Sequence, residues 1–295
     1  MARTPAEEPP GPGRGVIPGL VIAVVLIVLA FGGSAFGARR TESGAEKAVA
    51  RRDSATTEVT EATTSSTAPL PASPRAGPVA AGQKVQGDTP CPKADGSSPR
   101  VDLFAKVPPM CIDPSKTYTA VLATTAGKVT AKLDTTKTPA TTNNFVVLSR
   151  YHYYDGSTFF RTDPRIDIIQ GGNPKTQSFA DPGPGYTIPL EPPVEVDPAT
   201  GQPKGTYTYT PGDLVMVPGQ GPESAGAGFF FVAGPNAKLL DADGIYVVFG
   251  KATQGLDVLQ KVLASHVACP ATDEECQGGG PDPVVTVSSI TIQES

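Results

Sequence analysis

The C-terminal two thirds of the chain contain many short runs in which apolar and polar residues alternate. Residues 118–125 and 128–134 alternate on either side of Ala126-Gly127, which predicts a β-hairpin. Further strands are predicted at 157–161, 166–169, 213–217, 229–232, 245–249 and 284–292. Helical signals occur only at Pro139–Arg150, where the proline suits a first turn, and at 256–263. This pattern predicts a mainly β domain, a closed antiparallel barrel with two helices covering its ends.

Composition and charge limit what else the chain can be. It has 295 residues with 32 Gly, 32 Pro and no Trp, which fits one ordinary domain with poorly ordered flanks. The net charge of −5 and the absence of a basic run with interleaved aromatics argue against a nucleic-acid partner.

One long apolar segment lies near the N-terminus. After a stub at 1–15, residues 16–37 carry no charge and are long enough to span a bilayer. A cleaved signal peptide is the alternative, because Ala35-Phe36-Gly37 offers small residues at a possible cleavage site. The basic residues on both flanks do not determine the orientation. We expect a single-pass membrane anchor, or a secreted protein if the segment is cleaved.

The next segment has the composition of a linker. Residues 38–90 are dominated by Ala, Thr, Ser, Glu and Pro, which bury too little apolar surface to offset the entropy of ordering. We expect a disordered stalk there. Residues 91–116 are Pro-rich and bracketed by cysteines, and we expect an irregular lead-in to a domain at 117–293.

Four cysteines, Cys91, Cys111, Cys269 and Cys276, all follow the apolar segment. No C-x-x-C pair exists, and neither His152 nor His266 has ligand spacing from them, so we expect no metal or cofactor. Two disulfides in an oxidising compartment are favoured. Three connectivities are possible, of which Cys91–Cys111 with Cys269–Cys276 is the most local. Together with the linker, this favours a C-terminal domain outside the cytoplasm.

Three stretches in order resemble the cyclophilin family of peptidyl-prolyl cis-trans isomerases. They run from Phe159-Phe160-Arg161 to Gln170-Gly171-Gly172, from Gly221-Pro222 to Phe229-Phe230-Phe231, and from Leu239-Leu240-Asp241 to Val247-Val248-Phe249-Gly250. The resemblance covers about residues 117–293 and implies an eight-stranded closed barrel with two capping helices. With the apolar segment, it implies a bacterial, membrane-anchored isomerase that acts as a monomer on proline-containing segments of secreted or envelope proteins and assists their folding.

The resemblance also implies roles for individual residues. Arg161 takes the position of the catalytic arginine, and Gln170 that of the glutamine that positions it. Walls of the proline pocket are implied at Phe230, Leu240, Ile168 and Met216, and Tyr246 falls where the family has a polar aromatic residue.

Some positions depart from the family pattern. Gly219 and Gly228 replace residues that contact the substrate backbone, and Leu239 replaces the tryptophan associated with cyclosporin binding. The segment between Arg161 and Gln170 is one residue longer than usual. We therefore expect a weak grip on peptides, and an alternative function is a catalytically weak module that binds Pro-containing segments as a chaperone or docking protein.

Overall fold

The computed structural model describes residues 74–200, 203–218, 225–241, 244–270 and 278–295. The predicted anchor at 16–37 and most of the predicted stalk lie outside these ranges. Within them, no helix has the length and apolar character needed to cross a membrane.

The described residues form thirteen strands, two α-helices and one 3₁₀ helix. The strands are β1 (Gln83–Val85), β2 (Val101–Phe104), β3 (Tyr118–Thr124), β4 (Gly127–Leu133), β5 (Ser157–Thr158), β6 (Arg161–Asp163), β7 (Ile168–Gly171), β8 (Asp213–Pro218), β9 (Ala225–Val232), β10 (Val247–Gln254), β11 (His266–Ala268), β12 (Gly279–Pro281) and β13 (Thr286–Glu294). The helices are α1 (Pro139–Arg150), α2 (Leu256–Ala264) and the 3₁₀ helix Pro235–Leu240.

Nine strands form one antiparallel sheet in the order β5-β13-β3-β4-β10-β8-β9-β7-β6. The sheet is an open half-barrel, so the expected closed eight-stranded barrel is wrong in its closure and strand count. The cause lies at 157–161, where one strand was predicted and two are found. The chain leaves β5 on one edge of the sheet, passes through Phe159 and Phe160, and starts β6 on the other edge.

The hairpin and the first helix follow the sequence pattern. Strands β3 and β4 pair in register from Thr119–Lys132 to Thr124–Gly127. Helix α1 starts with Pro139, and a carboxylate supplied from outside the helix caps it. The two Glu191 oxygens accept the backbone N–H groups of Ala140 at 3.1 Å and Thr141 at 2.8 Å, donors that a helix start leaves unsatisfied.

Alternation along the strands divides the buried side chains between the two faces of the sheet. Phe229 and Phe231 belong to the large interior cluster, which also contains Phe145 of α1 and Leu259 of α2. The residues between and beyond them face a second cluster, which we call the outer cluster. Its buried members are Ile168, Tyr209, Val215, Phe230, Val232, Ala237 and Leu240.

Residues 74–90, assigned to the stalk from composition, instead belong to the folded domain. Strand β1 pairs in parallel with β2, and the N–H of Val79 donates to Pro174 O at 2.8 Å. Nearby, the Arg100 guanidinium donates to the carbonyls of His152, Tyr153 and Asp155 at 2.9, 3.1 and 2.7 Å. Long-range hydrogen bonds of this kind leave no apolar pattern in the local sequence, so composition alone misassigned the segment.

The cysteines follow the local pairing as far as the described residues extend. Cys91 and Cys111 form a disulfide, which confirms the first predicted pair. Cys269 is also disulfide-bonded, whereas Cys276 lies outside the described residues.

Backbone hydrogen bonds and an ion pair hold the residues at the end of β13 against the start of β3. The backbones of Thr117 and Ser295 exchange two hydrogen bonds, at 2.9 and 3.1 Å. Beside them Glu294 accepts from Arg150, a 2.7 Å contact to a side chain only 5% exposed, and from the exposed Lys116 at 3.3 Å. Hydrogen bonding to Arg150 lowers the pKa of Glu294 below its ordinary value.

We predict that Glu294→Gln lowers the free energy of unfolding by about 2 kcal/mol at neutral pH, because it leaves the buried Arg150 without a carboxylate. The pKa of Glu294 is lower in the folded state than in the unfolded state, so its contribution to stability is complete above the unfolded-state pKa of about 4.3. That contribution disappears as the pH falls through the folded-state pKa. Urea unfolding at pH 7 and pH 3 should therefore show a gap between wild type and variant that narrows in acid.

The control is Lys116→Gln, which removes the exposed partner of Glu294. It should cost less than about 1 kcal/mol, as surface pairs do. A Glu294→Gln gap of the same size at both pH values would contradict the proposed ion pair.

Candidate active site

Three side chains form a row across neighbouring strands. Arg161 of β6 lies directly opposite Gln170 of β7, and Gln170 lies directly opposite Phe230 of β9. Residues directly opposite each other in antiparallel strands project to the same face of a sheet. The sheet register therefore places the predicted arginine on the same face as the outer cluster, which contains Phe230 and Leu240.

The Arg161 guanidinium is held at both of its terminal nitrogens. Nη1 donates to Oε1 of Gln170 at 3.2 Å, and Nη2 donates to Oδ2 of Asp163 at 3.0 Å. Each terminal nitrogen carries two hydrogens, so one on each remains for a further acceptor. The side chain keeps 17% of its surface exposed, so a ligand can reach it.

Asp163 is a buried carboxylate between two arginines. Its side chain is 2% exposed, and it also accepts from Nε and Nη2 of Arg165, each at 3.1 Å. Burial raises the pKa of Asp163, but hydrogen bonds from Arg165 and the charge of Arg161 outweigh that effect and lower it. The group of three therefore carries one net positive charge. Burial lowers the pKa of Arg161, but a guanidinium stays charged in proteins.

The outer cluster lies on the same face of the sheet as this charge, and we call its apolar surface the hollow. Ile168, Phe230 and Leu240 are all buried in it, at 3%, 4% and 8% exposure. Leu240 is carried by the 3₁₀ helix, whose start is fixed by Asp167. The carboxylate of Asp167 accepts the backbone N–H of Asn236 at 2.8 Å. The turn before β7 thus holds the helix that supplies one side of the hollow.

Tyr246 lies at the edge of the hollow. Its ring is edge-on to Phe230, with centroids 5.9 Å apart. The Tyr209 hydroxyl accepts the Tyr246 N–H and donates to the Tyr246 carbonyl, both at 3.1 Å. Tyr246 thus packs, partly buried, against the outer cluster, and its role in binding substrate stays a prediction.

Met216 does not belong to this hollow. It is fully buried in the interior cluster, opposite Phe229 and Val247 in the ladder, so its assignment as a pocket wall is wrong. Because faces alternate along β8, Val217 is the residue that packs against the outer cluster. The predicted wall position was one residue from Val217, and a one-residue displacement along a strand reverses the face.

Two of the three residues that depart from the family pattern, Gly228 and Leu239, lie in the described part of the chain. Gly219 lies outside the described residues. At Gly228, an added Cβ would lie 2.9 Å from Oδ1 of Asn173 and 3.5 Å from Cβ of Val217, so neighbouring side chains occupy the space. Leu239, at 62% exposure, is a solvent-facing rim residue.

Two residues next to the guanidinium, Asp163 and Phe179, were not predicted from the sequence. Asp163 had a usable signal, because residues i and i+2 of a strand share a face. Phe179, in the loop after β7, has its ring centroid 5.4 Å from Cζ of Arg161, and no periodicity in that loop predicts the contact. In the described part of the chain, no group of three His, Cys, Asp or Glu side chains could hold a metal ion.

Several known proteins are similar in sequence to this chain. The family described as "Cyclophilin type peptidyl-prolyl cis-trans isomerase/CLD" matches residues 119–282. Peptidyl-prolyl cis-trans isomerase B of Bacillus subtilis is 35% identical over 129 residues, 44% of this chain and 78% of that protein. Peptidyl-prolyl cis-trans isomerase-like 1 of Gibberella zeae is 31% identical over 147 residues, 50% of this chain and 82% of that protein.

Two more distant matches span a larger part of this chain. The probable peptidyl-prolyl cis-trans isomerase B of Mycobacterium tuberculosis is 30% identical over 187 residues, 61% of this chain and 56% of that protein. A crystal structure of a cyclophilin-type isomerase from Cryptosporidium parvum has a TM-score of 0.47 and 22% identity, and the match covers 61% of this chain and 99% of that one. The family match spans more than half of the sequence and includes the arginine and the hollow, so this chain belongs to the cyclophilin-type peptidyl-prolyl cis-trans isomerases.

Proposed function

We propose that the chain isomerises X-Pro bonds in proteins outside the cytoplasm, with Arg161 as the catalytic residue and the outer cluster as the proline pocket. The observation that carries this proposal is the cross-strand row of Arg161, Gln170 and Phe230. This row puts a cationic donor and the buried apolar residues of the outer cluster on one face of the sheet.

Prolyl isomerisation requires little beyond a fixed hydrogen-bond donor and an apolar pocket for the proline ring. The X-Pro bond prefers trans by less than about 1 kcal/mol, but rotation crosses a barrier of about 18–20 kcal/mol because it breaks amide conjugation. As conjugation is lost, the lone pair of the prolyl nitrogen becomes available to a donor. A catalyst accelerates rotation by binding the twisted amide better than the planar one. No nucleophile, metal or titrating group is required.

The residues of the site supply these two requirements. Phe230, Leu240 and Ile168 would hold the pyrrolidine ring, which fixes one side of the bond. The two free Nη hydrogens of Arg161 would face the prolyl nitrogen, and a donor already fixed in position costs no reorganisation during rotation. Gln170 and Asp163 keep the planar fork oriented, and Arg165 offsets the negative charge of Asp163.

We predict that Arg161→Ala lowers kcat/KM for an Ala-Pro tetrapeptide by at least about 100-fold, the usual cost of removing a preorganised donor. Exchange NMR on the peptide measures the rate without a coupled protease. Arg161→Lys should also lose most of the activity, because an ammonium retains the charge but lacks the planar fork.

The matched control is Lys128→Ala, which removes an exposed cation of β4 outside the site. Its kcat/KM should stay within about fivefold of wild type. Equal rates for wild type and Arg161→Ala would contradict the assignment of the catalytic residue.

The alternative is a catalytically weak module that binds Pro-containing segments as a chaperone or docking protein. Gly228 favours it, because a glycine supplies no side-chain contact to the substrate backbone. An NMR titration with the same Ala-Pro tetrapeptide, combined with the exchange measurement, separates the two functions. A wild-type protein that shifts on peptide binding but exchanges at the uncatalysed rate would support the binding module.

The extracytoplasmic placement is supported by the cysteines. Cys91–Cys111 and the disulfide at Cys269 suit an oxidising compartment, and such bonds are rare in reducing ones. The apolar segment 16–37 would anchor the chain, and the linker after it would give the domain reach toward secreted and cell-envelope clients.

We predict that protein taken from its native membrane under thiol-blocking conditions will show all four cysteines oxidised by non-reducing mass spectrometry. A sample reduced before blocking is the control and should gain four labels. Labelled Cys91 and Cys111 in the unreduced sample would count against an oxidising compartment.

A further inference from the structure

Phe179 is an exposed aromatic residue next to the proposed catalytic side chain. It lies in the loop between β7 and β8, and 38% of its surface is exposed. Its ring centroid is 5.4 Å from Cζ of Arg161 and 5.4 Å from the Phe160 ring, at 90° to it. The other exposed large apolar residues in the described ranges are Val107, Met110 and Leu239.

The loop holds Phe179 in place. Asn173 Nδ2 donates to the carbonyl of Ser178 at 2.6 Å, and the N–H of Gln177 donates to the carbonyl of Asn173 at 2.8 Å. Oε1 of Gln177, a buried side chain, accepts the N–H and the hydroxyl of Thr158 at 2.9 and 3.0 Å. After Phe179, the Asp181 carboxylate accepts the N–H of Lys175 at 2.7 Å, so hydrogen bonds on both sides of Phe179 tie the loop to itself and to β5.

The position of the ring relative to the guanidinium suggests its use. Gln170 and Phe230 follow Arg161 across the sheet, while Phe179 contacts the guanidinium from the loop after β7. A peptide with its proline in the hollow and its prolyl nitrogen at Arg161 brings an adjacent residue close to this ring. An exposed, preordered aromatic ring gains most from an apolar or aromatic partner.

We propose that Phe179 contacts substrate and forms a subsite for an apolar or aromatic side chain next to the proline. The inference rests on the proposed function, since it uses Arg161 and the outer cluster to place the proline. It adds a preference that the arginine and the hollow do not provide, namely for peptides with a bulky apolar residue beside the proline.

Two peptide series test the proposal on the full chain. One varies the residue before the proline and the other the residue after it, each with Ala, Leu, Phe and Glu. Wild type should prefer Phe over Ala by about fivefold or more in one series, in kcat/KM by exchange NMR and in Kd by titration. Phe179→Ala should bring that ratio close to one, and Phe179→Leu should give an intermediate ratio.

The ratio compares two peptides on one preparation, so a misfolded fraction cancels. Met110→Ala is the matched control, because it removes an exposed apolar side chain whose neighbours Pro109 and Cys111 are tied to Asn143 of α1. It should leave the ratio unchanged. An unchanged ratio in Phe179→Ala, or an equal loss on every peptide, would overturn the subsite. Because the Kd ratio needs no turnover, a protein that binds but does not isomerise would refute the activity and still test the subsite.

Discussion

The register of three strands is the constraint on which the site depends. Because Arg161, Gln170 and Phe230 are direct cross-strand neighbours, they share one face of the sheet without any loop having to bring them together. The opposite face of the same strands is filled by Phe229, Phe231 and the helices. The interior cluster thus fixes the strands, and the strands fix a cation at the edge of the outer cluster. A displacement of β6 by one residue would turn the arginine away from the hollow.

The carboxylate beside Arg161 has two opposing effects on the site. A carboxylate next to a catalytic cation orients it but also weakens its field at the substrate. Here Asp163 accepts from both Arg161 and Arg165, so the orientation is obtained while the group retains one positive charge. Both Asp163 and Arg165 lie in the short segment between Arg161 and Gln170. The connection from β6 to β7 therefore carries the residues that support the arginine.

The local sequence pattern correctly predicted the elements whose formation depends mainly on neighbouring residues. Alternation identified β3 and β4, and the position of Pro139 identified the start of α1. The failures arise from long-range contacts. Residues 74–90 have the composition of a linker, but β1 is held by pairing with β2. The strand expected at 157–161 divides at Phe159, which is buried in the interior cluster. Family motifs pointed to Arg161, Phe230 and Leu240, which the structure brings to one face of the sheet. Met216 was one residue from Val217, and Phe179 depends on a loop conformation that no periodicity encodes.

The most direct test of the central claim is an NMR titration of the full chain with an Ala-Pro tetrapeptide, using labelled Ile and Leu methyl groups and labelled arginine side chains. The row of cross-strand neighbours predicts that the Arg161 side chain and the methyls of Ile168 and Leu240 shift together at one dissociation constant. The methyls of Leu122, in the interior cluster, should stay unchanged. Shifts confined to the broad cleft lined by Pro192, Tyr207 and Lys251, with no change at Arg161, would contradict the proposed site.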